Sequence, residues 1–87
     1  MFLSSTDMTT DLALSELRPG EKAVIRLVRT SSPHIKQRLM ELGMTRGSSV
    51  ELIRVAPMGD PLEVKIKGYR LSLRKVEAEA IVVGREM

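Results

Sequence analysis

Few side chains in this 87-residue sequence are equipped for chemistry: it has one histidine, His34, no cysteine, and 11 acidic residues scattered among 14 Lys and Arg. Nucleophilic or acid–base catalysis needs a nucleophile beside a base that a third group orients. The lack of cysteine removes any thiolate nucleophile, disulfide or Cys-ligated zinc. His34 has no second His or Cys three or four positions away, the spacing that sets two metal ligands on one helix face. No G-x-x-x-x-G-K-[ST] loop is present to cradle a phosphate. The expectation is a protein that is not an enzyme and carries neither cofactor nor resident metal.

Binding is the chemistry that remains. The run Ala56-Pro57-Met58-Gly59-Asp60-Pro61-Leu62 sets two prolines around a glycine and an aspartate. Each proline fixes its own φ and restrains the residue before it, while Gly59 can take a positive φ. Such a loop is stiff, and a stiff loop loses little entropy when a partner docks. Met40, Met44, Met58 and Asp60 are the candidate partner-binding residues. Methionine adapts to irregular surfaces but also fills cores, and Asp60 could anchor a partner or hydrogen-bond an N–H two residues on. Met40 lies off the apolar stripe of its helix and Met58 falls at a loop tip, which favours exposure for both.

The elements that position these residues follow from pattern. A helix is expected over Pro33 to Leu42, with Ser32 as N-cap, Pro33 at the first position and Gly43 as terminator. Ile35, Leu39 and Leu42 form its buried stripe, Met44 packs back on Leu39, and Lys36, Gln37 and Glu41 face water. Ala23–Val28 and Val50–Val55 read as strands, each fed by a turn (Pro19-Gly20 and Arg46-Gly47), and their near-continuous apolar content suggests burial from both sides. Leu62, Val64 and Ile66 alternate with Glu63, Lys65 and Lys67. Tyr69, Leu71 and Leu73 do the same after a hairpin at Lys67–Arg70, Val76–Ala80 is one helical turn, and Ile81–Val83 is a last strand ended by Gly84. Five short strands with one inserted helix are best closed into a small, mainly β, SH3-like barrel, because closure protects sheet edges. An open α+β sandwich is the alternative.

Composition allows one domain, 43% hydrophobic and 29% charged, so the chain is expected to fold around a small core. Residues 1–11, rich in Ser and Thr, read as a flexible leader, and the domain as 12–87. No apolar run reaches the roughly 18 to 20 residues that cross a bilayer, and the N-terminus lacks a signal-peptide pattern. A cytoplasmic protein is the expectation. The net charge of +3 makes an anionic partner worth considering, with Lys65, Lys67, Arg70, Arg74 and Lys75 gathered in the C-terminal half. Only Tyr69 and Phe2 are aromatic, which argues against a proline-peptide groove or a base-stacking surface.

From about Leu14 to Val83 the chain resembles the FeoA family of bacterial ferrous iron transport proteins. The resemblance rests on Arg38-Leu39-Met40-Glu41-Leu42-Gly43-Met44-Thr45-Arg46-Gly47, on Arg54-Val55-Ala56-Pro57-Met58-Gly59-Asp60-Pro61-Leu62, and on Leu71-Ser72-Leu73-Arg74 followed by an acidic turn and Ile81-Val82-Val83. The family's aliphatic after the helix-ending glycine is here Met44, and its proline before the next glycine is Arg46. The resemblance implies an SH3-like fold and an accessory role to FeoB, the membrane ferrous iron transporter with a cytoplasmic G-domain. The expected docking surface joins the helix end to the Pro57–Pro61 loop. A basic small barrel that binds nucleic acid and a homo-oligomer built by edge-strand pairing are the alternatives.

Overall fold

A computed structural model describes residues 11–85 of the chain. Its elements are β1 (Asp11–Ala13), a 3-10 turn (Leu14–Glu16), β2 (Lys22–Val28), α1 (Pro33–Glu41), β3 (Ser49–Val55), β4 (Leu62–Ile66), β5 (Tyr69–Leu73), α2 (Lys75–Glu79) and β6 (Ile81–Arg85). All six strands belong to one sheet in the order β1-β6-β2-β3-β4-β5, antiparallel throughout. The architecture is mainly β with one long helix, as expected of a small SH3-like barrel. Residues 1–10 of the expected leader lie outside the described residues, whereas Asp11 opens β1 by pairing with Gly84. β1 is the strand that pattern did not anticipate, because three residues are too few to show alternation.

The sheet coils around a core that includes Leu14, Ile25, Leu39, Met44, Leu52, Val64, Leu73 and Ile81, each 1% exposed or less. Two bulges explain the continuous apolar runs. The register slips between Ile25 and Leu27 in β2 and between Leu52 and Arg54 in β3. An extra residue in one strand changes the phase of its alternation, so Ile25 points inward while Leu27 is 44% exposed, and Val28 packs back on the core. The strands are therefore not buried on both faces, contrary to the expectation from their apolar content. β4 keeps the clean pattern, with Leu62, Val64 and Ile66 buried between Glu63 and Lys65. In β5 burial fades from Leu73 through Leu71 to Tyr69, which is 52% exposed at the hairpin.

That hairpin is a two-residue turn in which Lys67 (φ 52) and Gly68 (φ 88) are both left-handed, the geometry that matches strand twist. Gly84 does not end β6 as expected. It pairs with Val24 and with Asp11, and a Cβ there would lie 2.6 Å from Arg26 Nε. Glycine here marks a close side-chain approach within a strand.

Candidate functional site

α1 begins as its sequence dictates: Ser32 Oγ accepts from Ile35 N at 3.3 Å, with Pro33 in the first turn. It ends in a Schellman arrangement, Gly43 N donating to Met40 O and Met44 N to Leu39 O, both at 3.0 Å. This ending carries the chain back under the helix and puts Met44 in the core at 1% exposure. Met44 is thus corrected as a candidate contact, since no partner could reach its side chain. Met40 projects outward at 57% exposure, above a shallow apolar groove along the helix formed with Pro33, Lys36, Gln37 and Glu41.

The proline-bracketed loop closes through Gly59 N to Ala56 O at 2.7 Å and Ala56 N to Pro61 O at 3.0 Å, with Gly59 at φ 86 and a cis Asp60–Pro61 peptide. Met58 stands at its tip, 92% exposed. Asp60 does not bond an N–H of its own loop. Its Oδ1 accepts from Lys75 N at 3.1 Å, the first N–H of α2. The physical reason is that α2 starts after Arg74, whose side chain cannot accept a hydrogen bond, so its orphan N–H groups are served from elsewhere. Asp60 supplies one acceptor, and Glu77 Oε1 supplies another to Arg74 N at 2.9 Å.

Met40 and Met58 stand on different parts of the molecule. Gly43 abuts Lys67 at the hairpin end of the β3–β4 ladder, where Val50 pairs with Ile66. The Pro57–Pro61 loop closes the other end, beyond the Val55–Leu62 pair. Five residues of strand, at about 3.3 Å each, put roughly 16 Å between those ends. What joins α1 to the loop side is α2: Arg38 Nε donates to Glu77 Oε2 at 2.5 Å, and Lys75 N reaches Asp60.

Glu77 was not singled out from sequence. Its side chain is 5% exposed, yet both carboxylate oxygens have donors. The available signal was its position three residues after a helix-preceding residue, obscured because that residue is Arg74 instead of Ser or Thr. His34 is exposed near the start of α1. Among the described residues no three of His, Cys, Asp and Glu are grouped as metal ligands, and no helix is long and apolar enough to cross a membrane.

Residues 12–85 match the family model described as the FeoA domain. Over 73 residues the chain is 36% identical to the Fe(2+) transport protein A/Fe(2+) transporter FeoB fusion protein of Porphyromonas gingivalis, covering 83% of this chain and 8% of that much longer protein. The solution structure of FeoA protein from Chlorobium tepidum is 41% identical with a TM-score of 0.80, over 87% of this chain and 71% of that one. The Stenotrophomonas maltophilia FeoA complexed with zinc, described as a prokaryotic SH3 domain protein, is 36% identical with a TM-score of 0.73, over 83% and 88% of the two chains.

Proposed function

This chain belongs to the FeoA family, and from that premise we propose that it is a non-enzymatic, cytoplasmic accessory of ferrous iron transport that docks on the cytoplasmic, G-domain-bearing part of an FeoB-type transporter and regulates it. The supporting observation is the Porphyromonas gingivalis relative, in which an iron(II) transport protein A and an FeoB transporter share one polypeptide. Fusion fixes two modules at high effective concentration, which is useful when they act on one another. Any nucleotide hydrolysis in this reading takes place on the partner.

Met40, Met58 and Asp60 form the proposed contact. Met40 and Met58 are large apolar side chains exposed on elements whose backbones are held by caps and turn hydrogen bonds, so docking orders little beyond the side chains. A standard interface covers about 800 Å² per partner, and a partner that engages both methionines must reach from α1 to the loop at the other end of the β3–β4 ladder. Asp60 Oδ1 is committed to α2, leaving Oδ2 for a partner donor. The nucleic-acid alternative finds less support. Arg70 is paired with Glu63 at 3.6 Å, and Tyr69 is the one Phe, Tyr or Trp among the described residues.

Binding of the full chain to the detergent-solubilised transporter tests the reading. The double substitution Met40→Asp with Met58→Asp, in a protein that retains its native spectrum, is expected to weaken binding about tenfold or more, as central apolar contacts do. Unchanged affinity would overturn this surface, and no binding by the parent chain would overturn the partnership.

A further inference from the structure

The cleft between α1 and α2 holds charge that the fold itself does not consume. It encloses about 290 Å³ and is lined by His34, Ile35 and Arg38 on one side and Arg74, Val76 and Glu77 on the other. Glu77 lines the cleft floor with a side chain only 5% exposed, and both its oxygens are engaged, Oε2 by Arg38 Nε and Oε1 by Arg74 N. Its one negative charge stands against two guanidinium groups. The Arg74 guanidinium has no carboxylate partner among the described residues. Arg38 donates to Glu77 through Nε, and its side chain is 47% exposed, so the guanidinium keeps donors beyond that one bond. Glu41 lines an adjoining hollow that shares His34 and Arg38 with the cleft; it accepts from Gln37 Nε2 at 3.3 Å and forms no ion pair with Arg38 among the described residues.

The apolar part of the cleft is equally specific. Val76 is 52% exposed on α2, and Ile35 is only partly covered on α1. We propose that this cleft receives a short segment of a partner protein that presents an aliphatic side chain next to a carboxylate, the aliphatic group between Ile35 and Val76 and the carboxylate on Arg38 and Arg74. Charge complementarity selects that occupant: an excess positive charge beside apolar surface favours an acidic, aliphatic segment over a basic or neutral one. Guanidinium groups suit carboxylates because they donate in parallel pairs. The cleft's volume lies at the small end of ligand sites, which fits one or two side chains better than a whole small molecule. The cleft adjoins the proposed Met40, Met58 and Asp60 contact, since Asp60 accepts from Lys75 N next to Arg74, but it is lined by other residues and its test does not depend on that contact.

The test titrates acetyl-Leu-Glu-amide into the ¹⁵N-labelled full chain, with acetyl-Leu-Gln-amide as its neutral counterpart. Saturable shifts are expected at Ile35, Arg38 and Arg74 to Glu77, with roughly fivefold or greater weakening for the neutral peptide, since charge-assisted hydrogen bonds are about twice as strong as neutral ones. Arg74→Gln is expected to abolish the preference for Glu over Gln, and Val76→Asp to weaken both peptides. Both positions are exposed, and each variant is accepted only if the rest of its spectrum is unchanged. Equal affinity for the two peptides, shifts dispersed away from the cleft, or no saturable shift up to about 10 mM, well above millimolar affinity, would overturn the proposal. So would a protein-concentration-dependent mass that vanishes in Arg74→Gln, which would identify the occupant as a second copy of this chain.

Discussion

Arg38 Nε and Glu77 Oε2 lie 2.5 Å apart although 39 positions separate the two residues, and this ion pair ties α1 to α2. The two partners are unequal: the Glu77 side chain is 5% exposed and the Arg38 side chain 47%. Removing the buried partner should therefore cost more than the pair interaction itself. Glu77→Ala is expected to lower stability in urea by about 1–3 kcal/mol, because Arg38 can turn to water while the N-terminus of α2 loses an acceptor. Combined with Arg38→Ala, a double-mutant cycle should give a coupling of about 0.5–2 kcal/mol, held down by the half-exposed guanidinium. Strict additivity would mean that the pair carries no energy.

The methionines should divide cleanly between stability and surface. Met44→Ala removes a fully buried side chain and is expected to cost about 2–5 kcal/mol. Met58→Ala, at a 92% exposed site, should stay within about 0.5 kcal/mol of the parent. Thermal or urea unfolding of the two variants distinguishes these outcomes.

The structure perturbs the titration of Glu21. Its carboxyl is held below the usual glutamate range, chiefly because Oε1 accepts from Arg18 N at 2.6 Å and further because the Arg85 guanidinium approaches Oε2 at 3.2 Å. A depressed folded-state value means that this group's contribution is complete above its unfolded-state value and is lost as pH falls through the depressed one. Glu21→Gln should flatten the acid limb of the stability–pH profile below the ordinary glutamate range and leave the neutral region's slope unchanged. A carboxyl NMR titration of Glu21 with an ordinary midpoint would contradict this.

Two glycines should respond differently to alanine. Gly43 (φ 91) would become strained in the left-handed region, at about 1–2 kcal/mol, whatever the space around it. At Gly84 the obstacle is the far end of Arg26, a half-exposed side chain that also pairs with Asp11 at 3.5 Å. Gly84→Ala should displace that arginine at a cost below about 1 kcal/mol, the range of exposed ion pairs. Urea midpoints give the ranking, and the Arg26 Nε resonance reports the displacement.

What could be read from sequence was local. Ser32, Pro33 and Gly43 act within one helical turn of themselves, so both ends of α1 are legible to within a residue. The alternation at Leu62 to Ile66 is likewise a property of consecutive residues. The bulges near Arg26 and Ile53 were not legible, because they arise from the coiling of a sheet whose strands meet from distant parts of the chain. Asp60 shows the same limit: its neighbourhood suggested a turn of its own, and its acceptor oxygen serves an N–H 15 positions away. Met44 was legible as a core residue through the Schellman ending, and that local argument prevailed over its chemical suitability for contact.

The pairing of β1 with β6 sets Asp11 opposite Gly84, so the chain enters and leaves the sheet at adjacent points. Such a domain is held by both ends like a bead on a clasp: it can be spliced into a longer polypeptide, or its ends joined and new ones opened at an exposed loop, without pulling any strand out of register. Traffic of this module between free-standing and tethered forms thus needs no redesign of its interior, only a change in what is attached at one edge.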